Sequence, residues 1–151
     1  MQQTVYLADE AATLAFGAQY ARRIGAPATV YLNGGLGAGK TTFARGFLRG
    51  LGFQGSVKSP TYAIVESYPF DGFSVHHFDL YRFTAPEEWE DAGLDDLPAP
   101  AVRLVEWPQQ GGAFTPAPDW IFDFAQQQDG RSCTITAVSA AAQQGWNTWQ
   151  N

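Results

Sequence analysis

Cysteine is almost absent: Cys133 stands alone in 151 residues. A single thiol excludes an internal disulfide framework and a Cys-rich zinc site, and it points to a reducing compartment. Lysine is nearly as scarce, with only Lys40 and Lys58. Lys plus Arg number 9 against 15 Asp plus Glu, a formal net charge of −6. That balance excludes a broad basic face for the backbone of DNA or RNA and leaves room only for a local anion pocket. No run approaches the ~18 apolar residues that would span a membrane. Met1 to Glu10 contains no basic stretch followed by an apolar run, so no signal peptide is expected and the expected location is cytoplasmic. With 45% apolar and 16% charged residues, the chain is too apolar for disorder and too sparsely charged for a coiled coil.

The length suits one domain. Residues 1–140 are expected to form it, and residues 141–151, Ala/Gln-rich with Trp146 and Trp149, are expected to be a poorly defined tail. Thr4–Leu7 reads as a strand. Asp9 is a plausible N-cap for a helix from about Glu10 to Ile24, with an apolar stripe of Leu14, Ala18, Ala21 and Tyr20. Thr29–Asn33 is a buried-type strand that enters a Gly-rich turn. A second helix follows from Lys40 to Leu51, with Phe43, Phe47, Leu48 and Leu51 on one side. Gln54 to Tyr62 is polar and reads as a loop. Ala63–Pro69 and Phe73–Asp79 flank Asp71-Gly72 as a hairpin. Pro86-Glu87-Glu88 opens a short helix ended by Gly93. Val102–Glu106 is another buried strand, and Trp107 to Pro118 a loop. Trp120–Ala125 and Cys133–Ser139 read as a second hairpin around Asp129-Gly130. The pattern β-α-β-α followed by mixed strands predicts an α/β three-layer sandwich of the P-loop type, in which antiparallel hairpins extend a parallel nucleus.

Gly34-Gly35-Leu36-Gly37-Ala38-Gly39-Lys40-Thr41 fits G-x-x-x-x-G-K-[ST] at every fixed position. Successive backbone N–H groups must turn inward around a phosphate, and glycine permits the positive φ this needs. The helix that starts at the loop also points its positive dipole end at the anion. Lys40 can reach the β- and γ-phosphates, and the Thr41 hydroxyl can join a Mg²⁺ shell. Shuffling this composition produces the pattern in roughly two chains per thousand, and the flanking strand and helix add context.

A P-loop ATPase also needs an acid near the metal, at the end of a strand beside the P-loop strand. Asp79 closes Phe73–Asp79, and Glu106 closes the run Ala101–Glu106; both point to the sheet edge where open α/β folds bind ligands. Glu87, Glu88, Glu90 and Asp91 read instead as a solvated helix face. His76 and His77 alternate across a strand and cannot both ligate one metal, so core or hydrogen-bonding roles are expected for them. Cys133 is expected to be a buried structural thiol. Trp107, just after Glu106, is placed where it could stack on a base or a partner.

Four strings occur here in the order and at the spacings of one family: Gly34–Thr42, Lys58-Ser59-Pro60-Thr61-Tyr62, His77-Phe78-Asp79-Leu80-Tyr81-Arg82 and Leu104-Val105-Glu106-Trp107-Pro108. From about Val5 to Ser139 the chain resembles the bacterial TsaE (YjeE) proteins, the small ATPases of tRNA threonylcarbamoyladenosine (t6A) synthesis. The resemblance implies that Gly35, Leu36, Gly37, Ala38, Gly39, Lys40, Thr41 and Thr42 hold the phosphates of ATP and that Thr41 ligates Mg²⁺. It implies that Glu106 is a second Mg²⁺-associated acid and Asp79 a Walker B-like acid. Thr61 would lie in a loop that behaves like a switch, sensing the γ-phosphate. Glu10 and Arg131 match positions near the nucleotide. The implied partners are TsaD and TsaB, with tRNA reached only through their complex; no DNA and no membrane are involved. Gly35 stands where the family often has Asp; the atoms required there are backbone, so phosphate binding is expected to survive.

On the residues alone, Lys40, Asp79 and Glu106 are the candidates for catalysis, to which the resemblance adds Thr61, and the sequence does not separate the roles of the two acids. Arg82 could serve as an arginine finger in cis. Two other classes remain open: a small-molecule kinase, and a module in which ATP only selects a docking conformation. The absence of an Arg-rich segment between Leu94 and Pro118 speaks against the kinase, and the lack of an Asn-Lys-x-Asp string against a GTPase.

Overall fold

The computed structural model describes residues 1–150. It contains one seven-stranded sheet of order β1-β7-β6-β2-β5-β4-β3. In chain order the strands are β1 (Gln2–Leu7), β2 (Ala28–Asn33), β3 (Val65–Phe70), β4 (Phe73–Asp79), β5 (Ala101–Glu106), β6 (Trp120–Gln127) and β7 (Gly130–Ala137). The helices are α1 (Glu10–Ala21), α2 (Lys40–Gly50), α3 (Glu88–Asp91) and α4 (Ala140–Gln150). Strands β6, β2, β5 and β4 run parallel; β7 is antiparallel to β6 on one edge with β1 antiparallel to β7 outside it, and β3 is antiparallel to β4 on the other edge. This is the mixed sheet with a parallel nucleus that the element pattern predicts.

The near-continuous apolar run of β2 suits a central strand covered on both faces: Val30 and Leu32 have no exposed surface on one, and Tyr31 packs half-buried on the other. One face packs under α1, α2 and α4 through Val30, Leu32, Leu104, Phe122 and Ile135. Phe122 is a hub, with ring centroids 4.9 Å from Phe43 on α2 and 5.0 Å from Tyr20 on α1. Such pairs add about 0.5–1.5 kcal/mol each beyond area burial. The other face packs Phe78 and Val105 against Leu80, Phe83, Trp89 and Leu94 beneath α3 and short 3₁₀ turns.

Several local expectations are corrected. Helix α1 is capped as expected, with Asp9 Oδ1 accepting from the Ala12 N–H at 2.8 Å. It ends at Ala21, and its buried face is Thr13, Phe16, Gly17, Tyr20 and Ala21, with Leu14 and Ala18 only half-buried. The second hairpin turns on Gln128-Asp129, because Gln127 pairs with Gly130 across the strands. Gly130 is a strand residue: a Cβ there would lie 2.4 Å from the Leu7 carbonyl oxygen, so glycine serves the close approach of β1. Glu88 does not simply face solvent. It accepts from the Ala85 and Thr84 N–H groups, and these bonds hold its carboxyl below the usual range.

The C-terminal segment is helical. Ser139 Oγ caps it by accepting from the Ala142 N–H at 3.1 Å. Ala142 and Trp146 are buried, and the Trp149 ring stacks on Trp120 at 5.0 Å and 8°. No helix among the described residues is long and apolar enough to cross a membrane.

Cys133 on β7 is fully buried, and burial pushes its thiol well above the ordinary range. The thiolate is the reactive form. A disulfide exchange reagent is therefore expected to leave the native protein unmodified and to titrate one thiol in denaturant; rapid modification in native buffer would contradict this packing.

Candidate functional site

The register of the sheet assembles the site. Leu32 and Asp79 are both paired with Glu106, so the C-terminal ends of β2, β5 and β4 lie side by side. Period-two alternation turns Glu106 and Asp79 toward the face that carries α2. The chain leaves β2 at Asn33 and enters α2 through the Gly-rich loop, which brings Lys40 and Thr41 over the same edge.

Gly39 sits at φ 110° as the N-cap of α2 and provides no side chain to cap it. The first N–H groups of the helix therefore stay open for an anion. A Cβ at Gly39 would come within 2.4 Å of Arg131 Nη1, so the glycine also lets the Arg131 side chain lie against the loop. Arg131 Nη1 donates to the Gly37 carbonyl oxygen at 3.4 Å, while its Nε is buried with no partner among the described residues.

Lys40, Asp79 and Glu106 are buried here, at 4%, 5% and 3% exposed. Lys40 Nζ donates to the Gly34 carbonyl oxygen at 2.7 Å and lies 4.1 Å from the centre of the Trp107 ring. Burial pushes the Lys40 ammonium below its ordinary pKa, and the nearby Glu106 and Asp79 carboxylates oppose that shift. Glu106 Oε2 accepts from Thr41 Oγ1 at 3.2 Å and contacts His77 Nε2 at 2.6 Å. Asp79 Oδ2 accepts from Thr61 Oγ1 at 3.1 Å, and its Oδ1 from the Tyr81 N–H at 2.9 Å. The Asp79 N–H donates to the carbonyl of Ile64, which sits at φ 71°. A β-branched residue in that region is strained, and it closes the loop that carries Thr61.

A cavity of about 250 Å³ is lined by Leu36, Gly37, Gly39, Lys40, Thr41, Thr42, Thr61, Asp79, Glu106, Trp107 and Arg131. It brings together most of the residues singled out from sequence. Gly35 lines a second cavity of about 510 Å³ with Asn33, Gly34, Lys40, Trp107 and Gln109. Ala38 lies within the loop and donates its N–H to the Gly35 carbonyl at 3.2 Å. Glu10 lines neither cavity; its carboxylate pairs with Arg45 on α2 at 2.8 Å. Arg82 also stands apart, with its guanidinium 4.1 Å over the ring of the exposed Tyr62. Trp107, at φ 57°, is occupied by Lys40 and by Tyr81, whose ring lies 5.0 Å away.

His76 and His77 do point to opposite faces. His76 is held by Ser67 Oγ and the Pro98 carbonyl, whereas His77 meets Glu106. Sequence reasoning missed the His77 contact. The signal was present, because a residue two before Asp79 on a strand shares its face. Among the described residues no cluster of three or more His, Cys, Asp or Glu side chains could hold a metal ion by itself.

This arrangement has counterparts in known proteins. Residues 7–133 match the family described as threonylcarbamoyl adenosine biosynthesis protein TsaE. A curated relative from Haemophilus influenzae is 42% identical over 140 residues, which cover 89% of each chain. One from Rickettsia bellii is 34% identical over 89% of this chain and 94% of its own. Both carry the name tRNA threonylcarbamoyladenosine biosynthesis protein TsaE. Among solved structures, YdiB of Bacillus subtilis superposes with a TM-score of 0.78 at 27% identity, covering 98% of this chain and 93% of that one. With the family matched over most of its length, the chain belongs to the TsaE family of tRNA threonylcarbamoyladenosine biosynthesis proteins.

Proposed function

We propose that this protein is a Mg²⁺-dependent ATPase of the cytoplasm that acts on a complex of TsaD and TsaB, supports the turnover of that complex in t6A synthesis, and meets tRNA only through it. The observation that carries this reading is that P-loop residues, Lys40, Thr41, Thr61, Asp79 and Glu106 line one cavity together. We read residues 1–140 as the ATPase domain, with α4 docked on it.

The donor set suits the metal. One hydroxyl and two carboxylates are hard oxygen ligands, and Mg²⁺ takes one or two carboxylates together with water and substrate phosphates. When bound, Mg²⁺ would neutralise charge on the β- and γ-phosphate oxygens. The residues that would hold it are Thr41, Glu106 and Asp79.

The remaining chemistry belongs to the chain. The loop amides from Gly35 to Thr41 and the N-terminal end of α2 bind the phosphates, with Thr42 beside them. The Lys40 ammonium moves from the Gly34 carbonyl onto phosphate oxygens that bear negative charge. Glu106 or Asp79 orients the metal shell or the attacking water. Thr61 leaves Asp79 for the γ-phosphate, which couples its loop to the state of the nucleotide. Arg131 lies against the loop and reaches the nucleotide from β7. Glu10 joins only if its pair with Arg45 opens.

Arg82 stacks on Tyr62 and does not line the cavity; with the arginine finger supplied by the partner, slow hydrolysis alone and faster hydrolysis with partner are expected. The test is Mg²⁺-dependent phosphate release by the protein alone and with the TsaD–TsaB complex. Stimulation of about 10-fold or more supports the reading, given that an arginine supplied in trans accelerates P-loop hydrolysis by 10³–10⁵. Tight ATP binding without turnover in either condition would replace the ATPase by a nucleotide-gated module. Turnover indifferent to the complex but dependent on a metabolite would replace it by a kinase.

A further inference from the structure

His77 has no part in the chemistry described above, yet it touches the site. Its ring has no exposed surface. Nε2 lies 2.6 Å from Glu106 Oε2, and Nδ1 is buried without a hydrogen-bond partner among the described residues. A proton on Nδ1 would be a buried donor with nothing to receive it, which costs the full desolvation of that group. The ring proton therefore sits on Nε2 and is donated to the carboxylate.

The same oxygen, Oε2, accepts from Thr41 Oγ1 at 3.2 Å. Both side-chain hydrogen bonds to Glu106 thus end on Oε2, and Oε1 carries neither. A glutamate has three side-chain torsions and is poorly fixed by packing alone. Here one donor comes from the neighbouring strand β4 and one from the start of α2. Neighbouring strands and buried neighbours hold the imidazole, so the carboxylate inherits a rigid mount.

We propose that His77 is the positioning residue of Glu106, holding Oε2 through its Nε2–H so that Oε1 is presented to the cavity in one orientation. The inference deepens the reading of Glu106 as an acid of the Mg²⁺ or water shell and rests on it. It predicts behaviour that a merely space-filling histidine would not show, because the function lies in one N–H group and not in ring volume.

Two variants separate these roles. His77→Gln keeps an amide N–H near the position of Nε2; His77→Leu fills similar space with no donor. Each is compared with the wild type by thermal melting, by affinity for a fluorescent ATP analogue with and without Mg²⁺, and by steady-state hydrolysis across a Mg²⁺ titration. His77→Leu is expected to weaken the Mg²⁺ dependence or lower kcat by about 10–100-fold, the usual cost of losing such a supporting hydrogen bond, with metal-free analogue binding changed by no more than about twofold. His77→Gln is expected to recover most of the loss. Wild-type behaviour of folded His77→Leu, or equal damage in both variants, overturns the proposal.

If His77→Leu does not fold, ¹⁵N spectra of the two histidine rings decide. A proton on Nδ1 of His77, or ring signals unmoved by Glu106→Gln, overturns it; a proton on Nε2 whose signal shifts in Glu106→Gln supports it. The ATPase reading fails separately. A wild type that never hydrolyses ATP but binds the analogue more tightly with Mg²⁺, an effect lost in His77→Leu and kept in His77→Gln, removes the ATPase and leaves the positioning role standing. A wild type whose analogue binding ignores Mg²⁺ overturns the positioning role as well.

Discussion

Replacing Lys40 with alanine is expected to lower stimulated ATP hydrolysis by about 10²–10³-fold, the range seen when one preorganised charge stabiliser is removed from a transition state. The fold is expected to survive the change. Lys40 is 4% exposed, and its pKa lies below the ordinary lysine value because burial disfavours the charged form. Removing it abolishes that desolvation cost, which offsets the lost hydrogen bond to Gly34 and the contact with Trp107. Melting should therefore change little while turnover collapses. The same pKa direction gives a second readout. Since the folded-state value is lowered, Lys40 loses its proton as pH rises before a free lysine would. Affinity for ATP in the wild type should fall on the alkaline side ahead of the ordinary lysine range, and Lys40→Ala should lack that step. Undiminished hydrolysis in Lys40→Ala would place the chemistry elsewhere.

What the sequence made legible is instructive about where local signals carry information. The P-loop could be read because its constraints are local: a strand, a turn that needs positive φ, and a helix start follow one another in the chain. The acids at strand ends could be read because a strand end has a fixed place on a parallel sheet. That Asp79 and Glu106 sit directly opposite one another is a matter of register between β4 and β5, and strand order carries that information, not composition. The His77–Glu106 contact belongs to the same class, linking positions 29 apart.

The misreadings have physical causes too. Helix α1 is small and apolar nearly all round, so its periodicity does not mark a face. Its burial is decided by what approaches it: the aromatic cluster on one side and the backbone of α2 on the other. Thr13 is buried because its hydroxyl bonds locally, donating to the Asp9 carbonyl at 3.3 Å. Helix α4 was concealed by its Ala/Gln composition, although Ala142, Trp146 and Trp149 stand at i, i+4 and i+7, the spacing of a helical stripe. Trp146 is buried in the core, and Trp149 packs half-buried against it. Asp129-Gly130 reads as a turn, whereas Gly130 serves close packing against β1, a distinction no single sequence contains.

The second large effect concerns how α2 is held. Gly46→Val is expected to destabilise the protein by about 3 kcal/mol, the upper part of the range for overpacking a close contact. Helices α1 and α2 meet backbone to backbone. A Cβ on Gly46 would lie 2.2 Å from the Leu14 carbonyl oxygen, and one on Gly17 2.3 Å from that of Phe43. The obstacles are main-chain atoms on the opposite helix, so no side chain can rotate away, and the helices must part. Valine gains a few tenths of a kcal/mol over glycine in helix propensity, far less than the clash costs. For a domain of this size the melting temperature should fall by about 10 °C. The consequence for function follows from the same geometry. Helix α2 carries Lys40 and Thr41 at its start, and parting it from α1 shifts both relative to Asp79 and Glu106, which the sheet holds in place. At temperatures where the variant remains folded, its affinity for ATP should therefore fall, whereas a valine on an exposed face of α2, as in Arg49→Val, should leave it unchanged. Urea unfolding together with nucleotide titration of both variants measures the two effects. A Gly46→Val protein as stable as the wild type would mean that the helices are not in the backbone contact described.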